Sequence, residues 1–271
     1  QGANQFQGYI KNFVLKSNTA TSALEFAQWT HWAKTNGVTN VTAGLVLWDR
    51  FTNGSGTTLT DSSGNGLTGT LFGINSPTWT TGPTAFMPAM AFDGTNNGVS
   101  IPINGASLLP GTNITVSLWA KFNGQQDGML FNTVATNILS QLVIVQDFPN
   151  SPLRGIAQGS ASVVEEGGSY VSSTYTWHHF AYASNGSNQW TWVDGVRDAD
   201  NGTSQIISGV LPAKWWLGVT NITLGYCSTS FPNGGYLPPL NSCIIANVKV
   251  FNRIWNDTED NDEWLFPNLN Q

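Results

Sequence analysis

From Leu45 onward, short apolar runs alternate with polar turns. The runs are Leu45–Phe51, Met90–Phe92, Val99–Pro102, Ile114–Phe122, Leu139–Gln146, Trp177–Ala183, Gln189–Val193, Ile222–Gly225 and Ile244–Phe251. Between them stand Asn53-Gly54, Asn65-Gly66, Asp93-Gly94, Asn123-Gly124, Asn185-Gly186 and Asp194-Gly195. Such dipeptides supply the positive φ that tight hairpin turns require. Many short strands without long helical periodicity predict an all-β fold, an antiparallel β-sandwich with short peripheral helices. One helix is expected over Ser22–Lys34, which opens on the capping box Ser22-Ala-Leu-Glu25. A second is expected over Asp257–Phe266, where Asp257-Thr-Glu-Asp260 sets acids at the positive end of the helix dipole.

The two helical stretches expose an internal repeat. Ile10-Lys-Asn12-Phe-Val-Leu15 leads to Trp29 with the same Asn-to-Trp spacing as Ile245-Ala-Asn247-Val-Lys-Val250 to Trp264. Residues 1–33 therefore read as a strand–helix segment echoing the end of a preceding domain copy, or as an extra strand on this domain, with chance similarity as the alternative. Residues 34–44 read as a polar linker and residues 45–271 as the sandwich.

Composition supports a packed domain. The 271 residues include 12 Trp, 14 Phe and 29 Gly, with only 10% charged side chains, which suits turns and a large core and leaves no case for disorder. With 10 Lys+Arg against 16 Asp+Glu the formal charge is −6, and no basic stripe appears, so a nucleic-acid partner is not expected. No apolar run is long enough to insert in a membrane. The start at Gln1, without an initiator Met or a signal peptide, reads as a processed product or an excised fragment.

Cys227 and Cys243 flank a Pro- and Gly-rich loop, Ser228–Ser242. A disulfide there would close about 15 residues and contribute roughly 3 kcal/mol by restricting the unfolded chain. It would favour an oxidising compartment; two buried thiols are the alternative. Asn40, Asn53, Asn113, Asn185, Asn201, Asn221 and Asn256 each begin an N-x-[ST] triplet. This composition generates about five such triplets by chance, so they do not establish a glycoprotein.

Leu45-Val-Leu-Trp48-Asp-Arg-Phe51, Asp61-Ser-Ser-Gly-Asn65-Gly and Thr68-Gly-Thr are followed in order by Ala91-Phe92-Asp93-Gly94, Ile114-Thr-Val-Ser-Leu-Trp119-Ala and Trp177-His178-His179-Phe-Ala181. Trp192-Val-Asp194-Gly195, Ile222-Thr-Leu-Gly225 and Ile245-Ala-Asn-Val-Lys-Val-Phe-Asn252-Arg complete the series. In this order the chain resembles the laminin-G-like jelly rolls of the concanavalin A-like lectin and glucanase superfamily over nearly all of residues 45–265. The resemblance implies a concanavalin A-like jelly roll, with Trp48, Trp119 and Trp177 in the core. It leaves function open, because the fold hosts lectins, adhesion modules, enzymes and viral surface proteins.

Glycosidases on this fold need two carboxylates flanking the scissile bond. Glu165 and Glu166 are adjacent, so a strand would send them to opposite faces. Glu259, Asp260, Asp262 and Glu263 are accounted for by the helix dipole and solvation. Catalytic residues are therefore not expected. His31, His178 and His179 have no metal-ligand spacing with either cysteine. Calcium suits the oxygen-rich turn Asp61-Ser62-Ser63-Gly64-Asn65, and relatives in the resembled family hold calcium near this region, so Asp61, Asn65 and Asp93 are the candidate ligands of a structural ion, with an Asx turn that binds no metal as the alternative.

Sugar rings stack on exposed aromatic faces while polar neighbours read their hydroxyls. Trp190 and Trp192 share one strand face at roughly 7 Å spacing. Trp215 and Trp216 sit near a turn, and Phe231 and Tyr236 stand in the loop after Cys227. These six are the expected ligand-binding residues, with sheet packing or a domain interface as the alternative. The sequence thus points to a non-catalytic glycan-binding or adhesion module, secreted to an extracellular, virion or cell surface. The alternative is a structural virion or cell-surface component built from jelly rolls, with a capsid or surface-protein partner and oligomers; a glycoside hydrolase ranks third.

Overall fold

A computed structural model describes residues 43–85, 87–94, 96–109, 111–123, 128–135, 141–146, 152–159, 162–171, 175–186, 188–197, 205–208, 218–226 and 242–265. The chain divides into Gln1–Val38 and Thr39–Gln271, and every described residue belongs to the second part. The strand–helix segment expected at 1–33 lies outside the described residues, as does the linker before Ala43.

In chain order, β1 (Leu45–Asp49), β2 (Thr58–Leu59), β3 (Gly69–Phe72), β4 (Thr78–Thr81), β5 (Pro88–Phe92) and β6 (Gly98–Pro102) precede one helical turn, α1 (Gly105–Leu108). Then come β7 (Ile114–Phe122), β8 (Gly128–Ala135), β9 (Gln141–Gln146), β10 (Pro152–Gly159) and β11 (Ser162–Val171). The rest is β12 (His178–Ser184), β13 (Gln189–Val193), β14 (Val196–Arg197), β15 (Gln205–Ser208), β16 (Val219–Leu224), β17 (Cys243–Phe251) and α2 (Asp257–Leu265). A first sheet of eight strands runs β14-β13-β12-β7-β17-β5-β4, with β1 laid against β17. A second of nine runs β15-β11-β10-β9-β8-β16-β6-β3-β2. Pairing is antiparallel, so the expected all-β sandwich is the observed one.

The strand period of two explains the core. On β7, Ile114, Val116, Leu118, Ala120 and Phe122 join Val99, Ile101, Leu130 and Ile222 of the second sheet in one buried cluster. Each such side chain contributes roughly 1.5–3 kcal/mol over full exposure. The alternate residues Thr115, Ser117 and Trp119 belong to the other face, yet they are buried too. That outer face is covered by the segment from Ile254 to α2, whose Trp255 and Trp264 pack into two smaller clusters on it. The helix starts at a capping box one residue before the expected acid. Asn256 N–H donates to Glu259 Oε2 at 3.0 Å, and Glu259 N–H to Asn256 Oδ1 at 3.0 Å.

Two glycines set how closely parts approach. A Cβ on Gly155 of β10 would lie 1.9 Å from Cδ2 of Tyr182 on β12, so the second sheet meets the Tyr182 ring only through bare backbone. Gly225, just after β16, has φ +68, and a Cβ there would lie 2.2 Å from Cδ1 of the buried Phe92. Gly225→Ala is expected to cost about 2–3 kcal/mol, from left-handed strain and overpacking together. Chemical denaturation measures it; a loss under 0.5 kcal/mol would show that the Phe92 ring yields freely.

Candidate functional site

Beneath α2 the outer face of the first sheet holds a buried polar network. His179 Nε2 and Ser117 Oγ are 2.9 Å apart, and His179 Nδ1 lies 3.4 Å from Asp260 Oδ1 without the alignment of a hydrogen bond. Lys249 Nζ reaches Glu263 Oε2 at 2.6 Å, while Glu263 Oε1 accepts from Asn247 Nδ2 at 2.7 Å. Asn247 Oδ1 in turn accepts from Trp48 Nε1 at 2.8 Å. Burial, then Glu263, Asp257 and Asp194, pushes Asp260 up to about 8. Burial lowers His179 to about 3, with Lys249 adding to it and Asp194 opposing. Ser117, His179 and Asp260 share the residue types of a nucleophile–base–acid set but lack its His–Asp hydrogen bond. All three are 0% exposed, so the arrangement anchors the helix rather than meeting solvent.

The opposite situation holds where the chain approaches β12. Tyr175 takes φ 67, which breaks the extended alternation, and its N–H donates to Phe122 O at the end of β7 at 2.8 Å. The ring is left 68% exposed. Thr176 follows, also exposed, and Trp177 is half-buried against the Trp119 cluster with Lys121 Nζ 5.6 Å from its ring centre. Asp194 (φ 52) and Gly195 (φ 77) form the turn between β13 and β14. Asp194 Oδ1 accepts the His179 N–H at 2.9 Å, and Oδ2 lies 2.7 Å from His178 Nδ1. His178 Nε2 is 2.9 Å from Thr176 Oγ1. These bonds tie the turn to the approach to β12. They bring Tyr175, Thr176, Asp194 and Val196, itself 69% exposed, to one end of the sandwich. Tyr175 and Val196 are two of the three large hydrophobic side chains left exposed among the described residues; Ile74 is the third.

No protein-family model matches the chain, and no curated protein does. Solved structures do. Domain 4 of AbnA, an extracellular GH43 arabinanase of Geobacillus stearothermophilus solved in complex with arabinotriose, aligns with TM-score 0.60 at 18% identity, over 81% of this chain and 98% of that one. The binding domain of botulinum neurotoxin serotype D/C aligns with TM-score 0.59 at 13% identity, over 83% of this chain and 52% of its own. Trypanosoma rangeli sialidase, solved with 2,3-difluorosialic acid, aligns with TM-score 0.57 at 15% identity, over 83% of this chain and 33% of its own. The likeness is one of fold. These neighbours are β-sandwich domains of carbohydrate-associated and receptor-binding proteins.

Of the six ligand-binding residues expected from the sequence, Trp190 and Trp192 are among the described residues. Trp192 is 1% exposed and donates its Nε1 proton to Asp257 Oδ1 at 2.8 Å, so it packs under the start of α2 and offers no platform. Trp190 is half-buried beside it, with the Arg197 guanidinium 6.0 Å from its ring centre. Trp215, Trp216, Phe231 and Tyr236 lie outside the described residues. Trp48 and Trp119 are buried as expected, whereas Trp177 is only half so. Glu165 and Glu166 occupy consecutive positions of β11. Glu259 pairs with Arg253 at 2.6 Å, and Asp260 and Glu263 are buried rather than solvated: Lys249 and Asn247 of the sheet partner Glu263, while both Asp260 oxygens lie buried without a hydrogen bond.

The calcium expectation meets a donor set that does not fit. Asp61 Oδ1 accepts from Trp48 N and Ser63 N, and Oδ2 from Ser63 Oγ and Leu67 N, at 2.7–3.1 Å. Asn65 turns its amide nitrogen toward the Leu45 and Val46 carbonyls. Asp61 thus organises an Asx turn, its lone pairs already engaged by protein donors. Asp93 donates its N–H to Asn97 Oδ1 at 3.1 Å in a separate turn. Nearby Asp49 is buried with both oxygens unpartnered, and burial, then Asp61, raises it well above the usual carboxylate range. No group of three or more His, Cys, Asp or Glu side chains placed to hold a metal ion is found among the described residues. Cys243 stands as a free thiol in β17, pushed up to about 12 by burial, while Cys227 lies outside the described residues. No helix among the described residues is long and apolar enough to cross a membrane.

Proposed function

We propose that the chain is a non-catalytic, laminin-G-like module that binds glycans at an extracellular surface, through the end formed by Tyr175, Thr176, Trp177 and the β13–β14 turn. The observation that carries this reading is the exposed Tyr175 ring, whose left-handed backbone and N–H bond to Phe122 O set it at the end of the sandwich that also carries Thr176 and the β13–β14 turn. An exposed aromatic face with polar groups around it suits a pyranose or furanose ring, which is apolar on its face and polar at its rim. The arabinanase domain solved with arabinotriose and the toxin binding domain supply the fold precedent. The absence of catalysis is supported by the complete burial of Ser117, His179 and Asp260, and by the engagement of Glu259 and Glu263 in ion pairs.

A glycan array followed by calorimetry on the whole chain tests this. Binding is expected with and without calcium, and Tyr175→Ala should weaken it at least tenfold, about 1.4 kcal/mol, without lowering thermal stability. Absence of binding to any glycan, or an unchanged affinity in Tyr175→Ala, defeats the reading. Release of reducing ends from a bound glycan would replace it with a hydrolase.

A further inference from the structure

We propose that the β4 edge is a self-association surface, at which two copies of the chain pair β4 with β4 across a twofold axis through Thr80. β4 ends the first sheet, with β5 as its one neighbour among the described strands. Gly82 N–H donates to Met87 O at 2.6 Å, and Thr81 stands opposite Pro88. In an antiparallel ladder this bonds Thr78 and Thr80 to β5 and turns the N–H and C=O of Trp79 and Thr81 to the open side. No hydrogen bond takes these outward groups up among the described residues. Sheet edges are ordinarily blunted by charge, shortness, a bulge or a cover. The opposite edge of the same sheet, β14, has two residues and carries Arg197. β4 has four, Thr78-Trp79-Thr80-Thr81, all of high strand propensity and none charged. Ile74, just before it, is 86% exposed.

Charge and register both point to a second copy as the partner. The chain carries a formal −6, so most of its surface repels its own kind. Between Arg50 and Asp93, however, the sole charged residue is Asp61, whose oxygens are engaged within its own turn. That stretch builds β2 to β5, and Trp79 Nε1 donates to Gly56 O at 3.2 Å, tying β4 to the segment before β2. This side of the sandwich is therefore neutral. Two identical strands meeting about a twofold axis run antiparallel and complement themselves. Pairing Trp79 with Thr81 of the other copy uses every outward N–H and C=O of β4 on both sides. A shift by one step brings in Pro77 or Pro83, which have no N–H to give. Thr80 then faces its own copy in a close, non-hydrogen-bonded pair, a favourable position for threonine.

Sedimentation equilibrium of the whole chain tests this. The wild type should dimerise reversibly. Thr80→Lys sets two ammonium groups against each other on the axis and should raise the dimer dissociation constant at least tenfold. Thr80 is exposed in the single chain, so thermal stability of the monomer should not change. Thr80→Cys brings two Cβ atoms to about 4.5–5.5 Å across the axis and should give a reducible dimer on mild oxidation. Thr78→Cys is the control: its two copies would sit about 13 Å apart along the strands and should crosslink no more than the wild type. A wild type that stays monomeric up to about 1 mM overturns the proposal, as does a dimer that Thr80→Lys leaves intact. Equal crosslinking through Cys at 78 and 80 overturns the register and the axis. The Tyr175 end is built on β12 to β14, away from this edge, so either result leaves the glycan reading standing.

Discussion

Lys249→Met is expected to lower the free energy of unfolding by about 3–5 kcal/mol, the range for leaving one member of a buried ion pair uncompensated. Lys249 and Glu263 are each 4% exposed at the side chain, and their 2.6 Å contact joins β17 to α2. Glu263 also accepts from Asn247, which holds the Trp48 indole, and the Lys249 ammonium lies 4.9 Å from the Trp48 ring centre. Methionine matches the length of the lysine stem, so packing changes little. What changes is that the Glu263 carboxylate stays buried beside Asp260 without a cation. The double variant Lys249→Met/Glu263→Met removes both charges and should recover most of the loss, because desolvating the pair offsets much of its attraction. Urea denaturation of the two single variants and the double closes the cycle. A loss under 1 kcal/mol in Lys249→Met would mean that water reaches Glu263 and that α2 is not sealed against the sheet.

The contrast between fold and site in this chain has a physical source. β7 and β13 carry the boundaries expected from their apolar runs, and α2 begins where its capping acids indicated. The strands that escaped the apolar pattern, among them Pro152–Gly159 and Ser162–Val171, are interrupted by Gly, the second also by Ser and Glu, and show little alternation. Their pairing comes from neighbours in the sheet rather than from local pattern. Alternation correctly put Trp190 and Trp192 on one strand face, but it cannot say which face a distant helix covers. The same blindness made Asp260 and Glu263 look solvated: Lys249 of β17 pairs with Glu263, and Asp260 is packed toward His179 of β12, a strand far away in sequence. Tyr175 and Thr176 carried no signal, since what distinguishes them is a positive φ and a bond to a turn that only the folded chain brings near.

The second large effect is a pH dependence assigned to Asp260. Its folded value, pushed up to about 8, lies above its ordinary 3.8. Between those values the unfolded chain has lost this proton and the folded chain keeps it. The folded state therefore binds more protons, and stability falls as pH rises, by about 1.4 kcal/mol per unit for a fully separated group. His179 works in the opposite sense. Its folded value of about 3 lies below its ordinary 6.5, so in that window the unfolded chain binds the extra proton and stability rises with pH. Where the windows overlap, from about 4 to 6.5, the two slopes cancel, and raised Asp49 adds a further downward slope. Comparison with Asp260→Asn separates them, because His179 and Asp49 contribute to both proteins. Relative to the variant, the wild type should lose several kcal/mol between pH 4 and 8 and change little above pH 9. The variant alone should keep the His179 slope, losing stability as pH falls from 6.5 toward 3, less whatever Asp49 returns. A flat difference from pH 5 to 8 would mean that Asp260 is already ionised in the fold and that His179, 3.4 Å away, is its cation. In that case α2 would be held to the sheet by two buried ion pairs instead of one pair and a proton.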